Sequence, residues 1–129
     1  MQTISKTAAR VLEILTAGLE PGASRHVGEK GGTYMQVVVE RLTEDRFSIS
    51  HYYRQNGDLC PDPDMEFYRF EAGEWAPVSI TQWCGTSRAM EFDSEGLPSR
   101  WSPSRLRELC SFTGTWMKNI RAQQDLKAI

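Results

Sequence analysis

Asp58, Asp62, Asp64 and Glu66 put four carboxylates into the seventeen-residue segment HYYRQNGDLCPDPDMEF, residues 51–67, beside His51, an Asn-Gly-Asp turn and an Asp-Pro step. A hairpin held together by structure alone needs fewer acids. Clustered carboxylate oxygens suit either a hard cation or general acid–base work. Strand alternation decides whether the groups can converge. His51 shares a face with Phe47 and Ile49, which marks the core side, whereas Met65 and Phe67 turn Asp64 and Glu66 to the other side. The histidine and the acid pair are therefore expected on opposite faces. Asp58 and Asp62 also read as turn residues, because aspartate hydrogen-bonds its own backbone in tight connections.

The other chemistry-bearing residues are sparser. His51 reads as a core histidine, and His26 lies near a strand start. No serine sits in a GxSxG elbow. Residues 28–33, GEKGGT, contain phosphate-loop residue types in the wrong order and before a strand, so they read as a hairpin turn. Cys60, Cys84 and Cys110 are odd in number and spaced neither as a disulfide framework nor as a zinc site. On a helical wheel Arg107, Lys118 and Arg121 fall about 100°, 120° and 60° from Leu106, a basic flank that could touch phosphates. Tyr52 and Tyr68 fall by alternation on the outer sheet face with Asp64 and Glu66. That is an aromatic and acidic patch suited to protein recognition, provided nothing packs over it.

These residues need elements to hold them. Residues 5–19 place Ala8, Val11, Leu12, Leu15 and Leu19 at helical spacing, with Thr3 or Ser5 as N-cap and Glu20-Pro21-Gly22 as the stop. The period then changes to 2, and strands are expected over 24–28, 34–42, 46–54, 63–70, 75–82 and 87–93. Short turn-like links between them favour antiparallel hairpins. A second helix starts at Ser102-Pro103 and carries the stripe Leu106, Leu109, Thr113, Trp116, Met117 and Ile120. The expected fold class is α+β: an antiparallel β-meander of five or six strands with N- and C-terminal helices, in two layers. One domain over residues 1–129 fits the length.

Composition bounds the rest. The mean hydropathy of −0.49 and the absence of a long apolar run exclude a membrane span, and the N-terminus lacks a signal-peptide core. A cytoplasmic protein with reduced thiols is the expectation. The net charge of −2 conceals an uneven distribution. Residues 58–95 carry nine acids against Arg69 and Arg88, a balance of −7, whereas residues 96–129 balance at +4. A pI near 5.7 does not favour nucleic acid as the partner.

The runs His51-Tyr52-Tyr53, Gln55-Asn56-Gly57-Asp58-Leu59, Asp62-Pro63-Asp64-Met65 and Phe67 resemble a family of small bacterial domains of unknown function. Weaker likeness continues through Tyr34, Val38, Val39, Glu40 and Arg41. It returns at Leu109, Phe112, Trp116, Asn119 and Ile120, within a WxxNI pattern. Where such families commonly show Glu after the Asp-Pro step, this chain has Asp64, with the same charge and a shorter reach. The resemblance implies plasmids, conjugative elements or phages as the context and a single-domain α+β fold, and it transfers no activity, cofactor or catalytic residue.

The reading favoured is a non-enzymatic accessory protein of a mobile element, an antagonist of host defence being one form. It would recognise an unidentified protein partner through Tyr52, Asn56, Asp58, Asp62, Asp64, Glu66 and Tyr68. No catalytic residue, metal or cofactor is assigned. The rivals are a metal-dependent hydrolase or nuclease using Asp58, Asp62 and Asp64, and a nucleic-acid binder using Arg107, Lys118 and Arg121.

Overall fold

The computed structural model describes residues 1–29, 32–55 and 57–126, with the side chains at 53–55 and 58–61 outside the description. Ser5 caps α1 (Lys6–Thr16), its hydroxyl accepting from the Ala8 N–H at 3.2 Å. The helix buries Ala8, Val11, Leu12 and Leu15. It ends sooner than the Pro21-Gly22 stop, because Gly18 adopts φ +74° just beyond it.

Six strands follow in chain order: β1 (Ser24–Val27), β2 (Val37–Arg41), β3 (Arg46–Gln55), β4 (Asp58–Arg69), β5 (Trp75–Gln82) and β6 (Gly85–Arg88). Among the described residues they form one sheet of the same order, with every neighbouring pair antiparallel. The register shows why the two faces differ. One cross-strand rung runs Val39, Ile49, Met65 and Ile80, all buried. The next outward-facing rung is Ser24, Glu40, Ser48, Glu66, Ser79 and Arg88, polar from β1 to β6. Period 2 thus separates an apolar face from a polar one across β2 to β5, while the edge strands put Arg25 and Ser87 at the two ends of the apolar rung.

Both helices cover the apolar face. Trp75 on β5 is fully buried between Phe47 and Phe67, and its indole N–H donates to Glu13 of α1 at 2.8 Å. The long helix α2 (Pro103–Gln123) is capped by Ser102, with proline in its first turn as the sequence requires. Leu106, Leu109, Thr113, Trp116, Met117 and Ile120 are all buried. The Thr113 hydroxyl donates to the Leu109 carbonyl at 2.6 Å and lies 3.8 Å from the Met65 sulfur, which fixes α2 above the sheet centre. The result is the α+β antiparallel arrangement that the changes of period imply.

The stretch 87–93 departs from expectation. Alternation reads it as one strand, but it is two. Ala89 donates its N–H to the Val78 carbonyl at 2.8 Å, while its own carbonyl accepts from Ser102 at 2.9 Å. Its backbone is thus shared between β5 and the α2 cap, and the chain leaves the sheet there. The segment β7 (Met90–Phe92) then pairs with β8 (Pro98–Trp101) as a separate ribbon. The Asp93 carboxylate closes that hairpin by accepting from the Glu95 and Leu97 N–H groups at 2.9 and 3.0 Å. Strand β4 also begins earlier than read, since the Gly57 turn lets β3 and β4 pair from Gln55 and Asp58 onward.

Gly57 adopts φ +86°, with open space where a side chain would stand. Strain alone therefore sets the effect of substitution there. Gly57→Val is expected to destabilise the protein by more than about 1 kcal/mol, because a β-branched residue is disfavoured at positive φ. An unchanged denaturation midpoint would contradict this.

Candidate functional site

The outer face of the sheet is the surface that neither helix covers. Short side chains dominate its middle, with Ser48 on β3, Ser79 and Thr81 on β5, and Thr86 on β6. Longer polar residues there would lie over the sheet and fill the space. The short ones leave an open depression of about 410 Å³, walled also by Glu40, Leu42, Asp64, Glu66 and Arg88. Two of its three acids are held in place. Ser48 donates to Asp64 at 2.8 Å, and Arg46 donates through Nε to Glu66 at 2.6 Å and pairs with the same carboxylate through Nη2. The Thr81 and Thr86 hydroxyls lie 2.9 Å apart across β5 and β6.

The ribbon of β7 and β8 closes one end of this face. Phe92 packs on Tyr68 with centroids 5.6 Å apart, and the Arg46 guanidinium stacks 4.0 Å over the Phe92 ring. The expectation that Tyr68 forms an exposed aromatic patch is corrected here. Tyr68 is on the face of Glu66, but only 5% of it is exposed. Burial, with the charges of Asp45, Asp93 and Glu71 adding to it, pushes the phenol above its ordinary pKa. The covering element is the ribbon, and α2 packs on the other face. Tyr52 is half-buried beyond a register shift between Ser50 and Tyr52.

Asp62 and Asp64 are half-buried on β4, and the Asp62–Pro63 peptide is cis. Asn56 and the side chain of Asp58 lie outside the described residues, as does that of Cys60. Cys84 is an exposed and Cys110 a buried free thiol. Among the described residues no three His, Cys, Asp or Glu side chains gather as a metal site would require. His51 is on the opposite face, as alternation demands, edge-on to Trp116 of α2 at 5.6 Å. Arg107 and Lys118 are exposed and Arg121 half-buried along α2, and none forms an ion pair among the described residues.

His51 is 7% exposed and its Nε2 has no hydrogen-bond partner among the described residues, so burial lowers its pKa from the ordinary 6.5. The sign of the consequence follows from linkage. Above the unfolded value the ring is neutral in both states and adds no pH dependence. As pH falls through 6.5 the unfolded chain takes up a proton that the folded one resists, so stability declines toward acid until the folded ring also titrates. His51→Phe is expected to flatten this part of the stability–pH profile. An unaltered slope between wild type and variant would contradict the assignment.

A family model described as "Domain of unknown function (DUF6908)" matches residues 6–126, from the first residue of α1 to just past α2. The chain belongs to the DUF6908 family. No curated protein and no solved structure matches it. The DUF6908 match spans both helices and every strand described above, so the polar outer face lies within the family unit. The sequence motifs already pointed to Asp64 and Glu66. They included Glu40 only within the weaker likeness and did not point to Ser48, Ser79, Thr81 and Thr86, which cross-strand register brings beside those acids. Counting alternate residues outward from Val39, Ile49 and Ile80 would have found Glu40, Ser48, Ser79 and Thr81, whereas Thr86 has the parity of Ile80 and reaches the outer face only through the turn between Gln82 and Gly85.

Proposed function

We propose that this DUF6908 protein is a non-enzymatic recognition module whose outer sheet face takes an extended, basic segment of a partner protein. The single observation that carries the reading is the polar rung Glu40, Ser48, Glu66, Ser79 and Arg88 with its depression of about 410 Å³. A lysine or arginine stem can lie over small hydroxyl residues while its head meets Asp64 and Glu40, with Arg88 at the β6 margin. Asp64 and Glu66 are already oriented by Ser48 and Arg46, which reduces the ordering cost of association. The mobile-element setting implied by the motif resemblance suits such a module, and antagonism of a host defence protein is one form it takes. A basic nucleic-acid channel on that protein would present the kind of segment described.

The test is partner capture from cells carrying the parent element, comparing wild type with Asp64→Lys/Thr86→Lys and with Glu108→Lys on the exposed side of α2. The proposal expects a protein recovered with wild type and with the helix variant, released by salt, and lost with the outer-face variant. Recovery that survives the outer-face change but not Glu108→Lys would overturn it.

A further inference from the structure

A second concave surface lies where the ribbon meets the start of α2. Arg88, Arg100 and Arg105 line a cavity of about 330 Å³ together with Glu91, Trp101 and the cap residue Ser102. The three arginines come from β6, β8 and α2, so only the tertiary fold assembles them. Arg105 donates one N–H to the Arg88 carbonyl at 3.0 Å, and Arg88 donates one to the Met90 carbonyl at 3.3 Å. A guanidinium has five N–H donors, so these bonds orient the groups and leave most donors available. None of the three forms an ion pair among the described residues. Glu91 stands opposite Arg100 in the β7–β8 register, yet no bridge joins them. One carboxylate therefore faces three cations.

Trp101 supplies a different chemistry at the same place. It is 44% exposed although it belongs to a paired strand, and it lines the cavity beside the arginines. An accessible indole next to unpaired guanidinium groups is what a ligand with both a phosphate and a flat ring requires. Arginine meets phosphate oxygens through paired N–H donors, and the indole face accepts a stacked base. We infer that this cavity binds a nucleotide, its phosphate held by Arg88, Arg100 and Arg105 and its base laid on Trp101. The volume accommodates the phosphate and the stacking ring edge, with the remaining face open to solvent. The ligand is either a free nucleotide or one residue of a single strand, because both present the same phosphate and ring. The site is distinct from the recognition face, with which it shares Arg88 alone.

The probes are adenosine 5′-monophosphate, adenosine, inorganic phosphate and a short single-stranded DNA, each titrated at low salt while tryptophan emission is followed. The monophosphate is expected to quench emission, and adenosine to bind at least about tenfold more weakly. Arg100→Gln is expected to weaken the monophosphate about tenfold, and Arg100 makes no bond that the fold depends on. Trp101→Leu is expected to abolish the quench, and inorganic phosphate to compete without quenching. A strand that outcompetes the monophosphate assigns the ligand to single strands, with an affinity falling steeply in salt; the reverse order assigns it to free nucleotide. Equal binding of adenosine and its monophosphate would overturn the inference. So would failure of both nucleotide probes to bind, or binding that Arg100→Gln and Trp101→Leu leave unchanged.

Discussion

Replacing Trp75 by alanine is expected to destabilise the protein by about 3–5 kcal/mol, as large-to-small changes at fully buried aromatics do. The indole is completely enclosed, with Phe47 at 4.9 Å and Phe67 at 6.5 Å between centroids and the Arg69 guanidinium 5.5 Å above it. It also joins the sheet to α1 through its side-chain hydrogen bond to Glu13. Trp75→Phe keeps part of the volume and loses the donor, so its cost should be intermediate. Glu13 is half exposed and returns to water without a stranded charge. Denaturant midpoints at constant slope would give the order wild type, Phe, Ala. A loss below about 1 kcal/mol for alanine would contradict the packing described.

The second large effect contrasts two neighbours on one strand. Met65 is fully buried beneath α2, whereas Asp64 faces the open depression. Met65→Lys puts an ammonium into a core that holds no buried carboxylate among the described residues and is expected to cost at least about 3 kcal/mol. Asp64→Lys forfeits the bond from Ser48, worth about 1 kcal/mol in net terms, and leaves the fold intact. Comparable losses from both variants would mean that the outer face is not open. A folded Asp64→Lys protein is also what makes that variant usable as a test of binding.

How much of this was legible in the sequence differed by element. The α1 stripe, the Ser102-Pro103 start and the α2 stripe from Leu106 to Ile120 were legible because each is a local pattern. The placement of His51 against Asp64 and Glu66 followed from alternation, which strand geometry enforces. The β7–β8 ribbon was not legible, since Ala89 continues the alternation and leaves the sheet only because Val78 and Ser102 claim its two backbone groups. The burial of Tyr68 was hidden for the same reason, because its cover, Phe92, arrives with that ribbon. Arg88, Arg100 and Arg105 entered the reading only as charges in two opposing balances, yet the fold brings them to one cavity. Asp-Ser-Glu-Gly at 93–96, followed by Leu97-Pro98, was the available signal of a hairpin, with Gly96 at φ +80°.

The central claim, that the polar outer face is the partner surface, is tested most directly by carboxyl labelling of the free protein and of its complex with the captured partner. Labelled peptides would be compared at Glu40, Asp64 and Glu66 on the face and at Glu20 and Glu108 away from it. The account predicts protection of the first three in the complex, with Glu20 and Glu108 unchanged. Protection confined to Glu108 or Glu20, with the face carboxylates labelled as in the free protein, would contradict it.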